Sequence, residues 1–126
     1  METFLKPFLI DEIVFGKTYL IVELWSVPNI VIKVREIAFI KELQEDYIGR
    51  RALVIIDGKE ETRYLSSLGV LPQHSNHYRV FENTPYIRKT LSFYRYDPLH
   101  YLMSLGFTKD AAFEELLKLE NARRLR

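Results

Sequence analysis

The sequence predicts an α+β fold, with a mixed or mainly antiparallel sheet built from two hairpins and covered by helices. Three observations support this class. An unbroken apolar run at residues 52–56 meets the dipeptide Asp57-Gly58. Apolar residues alternate with others at period two over residues 17–25. Apolar residues three and four apart follow Pro98 near the end of the chain, which indicates helices.

The firmest of these elements is the hairpin at residues 52–65. Asp-Gly adopts positive φ at both central turn positions, and the resulting twist matches a two-residue hairpin. We therefore expect a buried central strand folded back on a charged outer strand. Lys59, Glu61 and Arg63 would protect that outer edge against further strand pairing.

A second hairpin is expected at residues 19–34. Its first strand has Leu20, Val22 and Leu24 on one face. Residues 26–29 have turn chemistry, because proline fixes φ and asparagine tolerates the left-handed region. A β-branched run at residues 30–34 then continues the hairpin. The preceding apolar stretch, residues 8–15, is predicted to be a short strand.

Residues 36–47 are predicted to form a helix in mid-chain. Ile37, Ile40, Leu43 and Tyr47 lie three and four apart among good helix formers. Gly49 stands where a left-handed cap is expected. The alternative is one long strand through Ile40, and the sequence leaves the two open.

Three features are predicted between the second hairpin and the C-terminal helices. Residues 66–77 contain small, polar and breaker residues, which is typical of a surface loop. Residues 78–81 are expected to form a short strand, followed by a turn at residues 82–85. Residues 87–96 are a further strand candidate, with basic and aromatic side chains along it.

A helical hairpin is predicted at residues 98–124. Asp97 is an N-cap before a proline at the first helical position, and Thr108 caps the second helix. Arg123, Arg124 and Arg126 lie near its C-terminal end, where cations are favoured. Residues 102–113 resemble the start of ubiquitin-associated domains and the turn of helix-turn-helix proteins. No functional residue is carried over from either resemblance, and a plain helical pair docked on the sheet is expected.

Composition limits the classes of function. The 126 residues suit one globular domain spanning residues 1–126, and a formal net charge of +1 gives no overall field toward nucleic acid or lipid. The absence of cysteine excludes disulfides and thiolate zinc sites. Lys6 and Pro7 interrupt the apolar N-terminal segment, which does not fit a signal peptide. We expect a cytoplasmic protein without membrane association.

Two patterns suggest metal chemistry. Asp57-Gly58-Lys59, with Asp46 upstream, partly matches the acid and acid-x-Lys pattern of metal-dependent nucleases, but turn chemistry explains it better. His74 and His77 lie three apart in a polar loop that His100 could approach, and exposed loop histidines are the simpler interpretation. We assign no catalytic residue, metal ligand or cofactor.

Exposed aromatic side chains beside arginine are typical of protein interfaces, which makes Trp25, Tyr94 and Tyr96 the candidate contact residues. The leading hypothesis is a small non-enzymatic binding or regulatory protein that acts through protein–protein contacts and is able to self-associate. The alternative is a nucleic-acid-binding accessory factor, because cations interleaved with aromatics hold single strands. Its candidate residues are Arg88, Lys89, Phe93, Tyr94, Arg95 and Tyr96. A metal-dependent nuclease is the second alternative.

Overall fold

The computed structural model describes residues 5–25, 29–72 and 77–124, with side chains as far as residue 122. Five strands and three helices lie within these residues. The strands are β1 (Thr18–Trp25), β2 (Val31–Leu43), β3 (Arg51–Ile56), β4 (Lys59–Tyr64) and β5 (Tyr78–Glu82). The helices are α1 (Pro85–Phe93), α2 (Pro98–Ser104) and α3 (Lys109–Arg124).

The strands form one sheet in the order β4-β3-β2-β1-β5, and all neighbours pair antiparallel. This confirms the predicted α+β class. Both predicted hairpins are present, β1 with β2 and β3 with β4. Asp57 and Gly58 have φ of 49° and 81°, as a turn with positive φ at both positions requires. β4 is an edge strand, and it carries the charges that the sequence placed there.

The predicted helix at residues 36–47 is wrong, and the long-strand alternative is confirmed through Leu43. β2 pairs with β1 along its first half and with β3 along its second. These two ladders, and burial of Ile37 and Phe39 in the core, outweigh the helix propensity of the local residues. Ile40 has no partner in the β3 register, so a bulge interrupts the alternation that would have identified the strand.

Two predicted strands are also wrong. Residues 87–96 contain most of helix α1 instead, because Thr84 accepts a hydrogen bond from the Ile87 N–H at 3.1 Å and Pro85 occupies the first helical turn. Residues 8–15 form no strand. A 3-10 turn at Ile10–Glu12 lies there, and its end packs Ile13 into the core.

The C-terminal helical pair is confirmed. Asp97 accepts a hydrogen bond from the His100 N–H at 3.2 Å, and Thr108 accepts one from the Ala111 N–H at 3.1 Å. The N-caps read from the sequence therefore begin α2 and α3. The predicted short strand at residues 78–81 is confirmed as β5.

The sheet separates two apolar cores. The first lies under the N-terminal segment and residues 65–70, and includes Tyr19, Ile21 and Phe39. Leu68 and Val70 are fully buried in it, so the predicted surface loop at residues 66–77 is wrong for its first part. The second lies under the helices. It takes three residues of β1, Phe81 of β5 and Ile32 of β2, but none of the described residues of β3 or β4. The helices therefore cover only half of their side of the sheet.

Three predictions fall outside the described residues. They concern residues 26–28 of the turn predicted at residues 26–29, the histidine at position 74, and the side chains of Arg123, Arg124 and Arg126.

Candidate binding groove

An open groove of about 560 Å³ lies along the outer edge of the first half of β2, beside helix α1. The aliphatic part of its lining comes from Val31, Ile32, Val34 and Leu91. Its remaining lining residues are Trp25, Lys33, Arg88, Ser92, Arg95 and Tyr96, so three of its side chains are cationic and none is acidic.

The groove follows a part of β2 whose outer edge has no strand partner among the described residues, because β3 pairs with β2 only from Ile37 onward. Three outward groups of this edge are occupied. The Ile32 N–H donates to the Arg95 carbonyl at 3.0 Å, the Glu36 N–H donates to the Asp57 carboxylate at 3.2 Å, and the Glu36 carbonyl accepts from the Asp57 N–H at 3.1 Å. Val34 lies midway, so its N–H and C=O point outward as well, toward the groove. Neither group has a hydrogen-bond partner among the described residues.

The cations of the groove are held in different ways. Arg88 pairs with Glu36 and also donates to the Asn83 side chain at 2.7 Å, which fixes it at the wall. The Arg95 guanidinium lies 5.3 Å from the centre of the Tyr96 ring. Neither Arg95 nor Lys33 forms an ion pair within the described part of the chain. Both are therefore free to meet a carboxylate or a phosphate.

Trp25 is fixed at the end of the groove. Its indole N–H donates to Glu23, whose carboxylate also pairs with Arg35 at 3.3 Å. The ammonium group of Lys33 lies 4.2 Å from the centre of the indole ring, a cation–π contact. Tyr78 is a further hydrogen-bond partner of Glu23. Burial raises the pKa of Tyr78, and the hydrogen bond to Glu23 raises this pKa further. The carboxylate of Glu23 thus holds Trp25 in one orientation while leaving it 40% exposed.

The structure gathers part of the predicted interface set. Trp25 and Tyr96 both line the groove, although they are far apart in sequence. Tyr94 does not, because it is half-buried against the second core with its ring 5.5 Å from that of Phe93. Burial thus makes Tyr94 a packing residue.

The predicted nucleic-acid set is divided by the helical geometry of α1 and the turn that follows it. Arg88, Arg95 and Tyr96 line the groove, whereas Lys89 and Phe93 are exposed outside its lining. Sequence reasoning missed Lys33, the one charged residue in the run at residues 30–34. A single cation within an apolar run was the feature that could have identified Lys33 as a candidate. The Thr84-Pro85 pair was the signal for α1, by the same rule that located α2.

The carboxylates of the nuclease hypothesis lie apart. The Asp57 carboxylate accepts a hydrogen bond from the Glu36 N–H of β2, and Asp46 lies beyond the other end of β3, roughly 17 Å away along a strand of this length. Asp46 accepts hydrogen bonds from the Tyr64 hydroxyl at 2.6 Å and from two backbone N–H groups. The Tyr64 bond lowers the pKa of Asp46, and Arg51 nearby adds to the effect. The Asp46 carboxylate holds the turn before β3, the Asp57 carboxylate joins the β3–β4 turn to β2, and Lys59 begins the edge strand.

The described residues show neither a metal cluster nor a membrane-spanning helix. No group of three histidine, aspartate or glutamate side chains converges there on a position for a metal ion. His100 is held by Asp97, with its Nδ1 2.8 Å from the carboxylate. None of the helices in the described ranges has the length and apolar character needed to cross a bilayer.

Comparisons with models of protein families, with curated proteins and with solved structures found no match to this chain. The function is therefore argued from the groove.

Proposed function

We propose that this chain is a non-enzymatic binding protein whose groove takes an extended, acidic segment of a partner protein. The observation that carries the proposal is the edge of β2 at Val34, which has no strand partner within residues 5–25, 29–72 and 77–124 and is bordered by Lys33 and Arg95, with no carboxylate in the groove lining. A cytoplasmic location and a single domain remain parts of this proposal.

An extended segment fits the groove for two reasons. A strand edge gives main-chain hydrogen bonds to any sequence, while side-chain pockets beside it give specificity. Here the main-chain groups of Val34 supply the first, and the apolar floor with its cationic border supplies the second. Trp25 and Tyr96 are large aromatic groups with a polar end, which suits them to anchoring a partner.

The test uses Trp25, which is the one tryptophan of the chain, as a reporter within the groove. Short random peptides displayed on phage are selected on the immobilised protein, and selected peptides are then titrated while tryptophan emission is recorded. We expect enrichment of aspartate and glutamate among apolar residues, and a saturable change in emission. Arg95→Glu should weaken binding about tenfold or more, because it replaces an attractive charge by a repulsive one.

Lys109→Glu is the matched control, since Lys109 is exposed on α3 outside the groove lining and undergoes the same change of charge. It should bind the selected peptides as the unmodified protein does. Selection without acidic enrichment, or acidic peptides that bind while Arg95→Glu has no effect, would contradict the proposal.

A second candidate is single-stranded nucleic acid, favoured by the exposure of two aromatic rings near the basic residues of α1. Phe93 is 80% exposed and Tyr96 is 74% exposed, beside Lys89 and Arg95. Such rings stack on bases while neighbouring cations neutralise phosphates.

Phe93 distinguishes the two candidates, because it lies outside the groove lining. If the ligand is a nucleic acid, the protein should shift a single-stranded oligothymidylate in a gel, with affinity that falls steeply as salt rises. Phe93→Ala should then weaken the shift. If the ligand is an acidic peptide, Phe93→Ala should leave peptide binding unchanged.

A further inference from the structure

The edge of β2 that lines the groove is closed at both ends. At one end the Ile32 N–H is taken by the Arg95 carbonyl. At the other end both main-chain groups of Glu36 bond to Asp57. Only Val34 lies between these closures, and we call its part of the edge the edge gap. An added chain can therefore pair with β2 over about one residue before it meets backbone in either direction.

The two main-chain groups of Val34 point to different ends of the edge gap. Along the strand its N–H lies on the Lys33 side and its C=O on the Arg35 side. In an antiparallel pair a single residue of the added chain bonds to both groups, so its own C=O accepts from the Val34 N–H. Two residues further along, such a chain would need the Ile32 N–H that Arg95 already occupies. An antiparallel segment must therefore end here or bend away.

Unpaired cations lie at the end of the edge gap that an antiparallel segment approaches. Lys33 and Arg95 both line the groove, and neither forms an ion pair in the part of the chain that the structure describes. The carboxylates near them are engaged elsewhere. Glu23, opposite Lys33 in the register, pairs with Arg35 at 3.3 Å. Asp97 caps α2 and is held by the histidine of that helix.

The opposite end of the edge gap is balanced in charge. Glu36 pairs with Arg88, and the Asp57 carboxylate bonds to the Glu36 N–H. Lys59 begins β4 just after the same turn. These four charges cancel, so this end does not attract a further carboxylate. A parallel segment would bring its C-terminal end here, whereas an antiparallel segment brings it to the unpaired cations.

We infer that the groove binds the free C-terminal end of a partner protein, whose terminal carboxylate accepts the Val34 N–H beside Lys33 and Arg95. The inference rests on the proposed function and narrows it. A segment that ends at this point avoids the Arg95 backbone, whereas an internal acidic segment has to bend away from it. Capture of a terminal carboxylate is a recurring mode of peptide recognition, and hydrogen bonds to an ionised acceptor are stronger than neutral ones.

The face on which Val34 lies indicates the last side chain of the partner. Val34 is opposite Val22, which belongs to the second core, so both are on the helix side of the sheet. A residue paired with Val34 places its side chain on the same face, where Ile32 and Leu91 line the groove. We therefore expect an apolar residue at the partner's C-terminus.

Two phage libraries of short random peptides test the inference. One displays free C-termini, and in the other a fixed Gly-Ser-Gly tail follows the random part. Both are selected on the immobilised full-length protein. Enriched peptides are synthesised with a free carboxylate and with a C-terminal amide, and their affinities are measured by fluorescence polarisation. We expect the tightest ligands from the free-end library, with an apolar last residue, and amidation should weaken them about tenfold because it removes a charged acceptor.

The cations are tested by the ratio of the affinities of the acid and amide forms. Lys33→Gln combined with Arg95→Gln should bring this ratio close to one. Lys89→Gln combined with Lys109→Gln is the matched control, because both lysines are exposed outside the groove lining and the same charge is lost. The control variant should keep the ratio of the unmodified protein.

Equal affinities of the acid and amide forms would overturn the terminal site, as would a preference for the acid that survives the loss of both groove cations. Acidic ligands from the tailed library alone would overturn it too. In each case binding of acidic peptides would leave the proposed function standing. If neither library yielded a ligand, the proposed function would fail and this inference with it.

Discussion

Gly69 illustrates how one residue joins distant parts of the chain. Its φ is +72°, a conformation that residues with a Cβ rarely adopt. A Cβ built there would lie 2.0 Å from the Tyr78 carbonyl oxygen, which is backbone and cannot rotate away. The close approach places the buried residues 68–70 beside the start of β5. The first core is closed at this point.

We therefore predict that Gly69→Ala is strongly destabilising. Positive φ alone costs a residue with a Cβ about 1–2 kcal/mol, and the steric overlap with backbone should raise the total loss above about 3 kcal/mol. Urea unfolding followed by circular dichroism measures it.

Gly106→Ala is the matched control, because Gly106 also has positive φ, of +106°, but nothing lies within 4 Å of its Cβ position. Its loss should stay near the cost of the backbone strain, about 1–2 kcal/mol. Equal losses for the two variants would show that the approach of Gly69 to Tyr78 contributes nothing.

For individual residues, the sequence identified several that line the groove but did not reveal their arrangement. Trp25, Arg88, Arg95 and Tyr96 were all predicted candidates, chosen for exposed aromatic and cationic chemistry. Their convergence with Lys33 depends on where α1 crosses β2, which is a long-range property. Local chemistry thus indicates the candidate side chains, and tertiary structure decides which of them lie together.

Among the elements, β2 shows where local propensity loses to tertiary pairing. Residues 36–47 have the spacing and composition of an amphipathic helix, yet residues 31–43 form a strand that pairs with β1 along its first half and with β3 along its second. The helical spacing of residues 36–47 could not reveal this, because both ladders are formed with residues outside that stretch. Helix α1 shows the opposite error, a helix that was predicted to be a strand. Its N-cap threonine and the proline that follows could be recognised in the sequence, but aromatic residues at alternating positions suggested a strand.

We therefore predict that an isolated peptide of residues 36–47 becomes helical in a solvent that favours helix formation. In trifluoroethanol it should develop the circular dichroism minima of a helix, because alcohols enhance local helix propensity and no partner strand competes. A peptide of residues 18–25, which is β-branched and aromatic in character, is the control and should gain much less helix. Equal helix in both would mean that the composition of residues 36–47 does not explain the wrong prediction.

For the molecule as a whole, β1 connects the two cores. Tyr19 and Ile21 face the first core, while Leu20 and Val22 face the second. The class and both hairpins could be predicted because they depend on short-range turns and alternation. The uneven coverage of the sheet could not, since it depends on where the helices dock. That uneven coverage leaves room for the groove, which lies where the helix layer ends.

A strand shared by two cores should make unfolding cooperative, which also tests the prediction of a single domain. Leu68 is fully buried in the first core and Leu91 in the second. Leu68→Ala and Leu91→Ala should each cost about 2–5 kcal/mol and lower the urea midpoint without changing the slope. The helical circular dichroism signal and Trp25 emission should shift together in both variants, because β1 cannot lose one face and keep the other. If Leu68→Ala moved the tryptophan transition while the helical transition stayed in place, the two cores would be independent units.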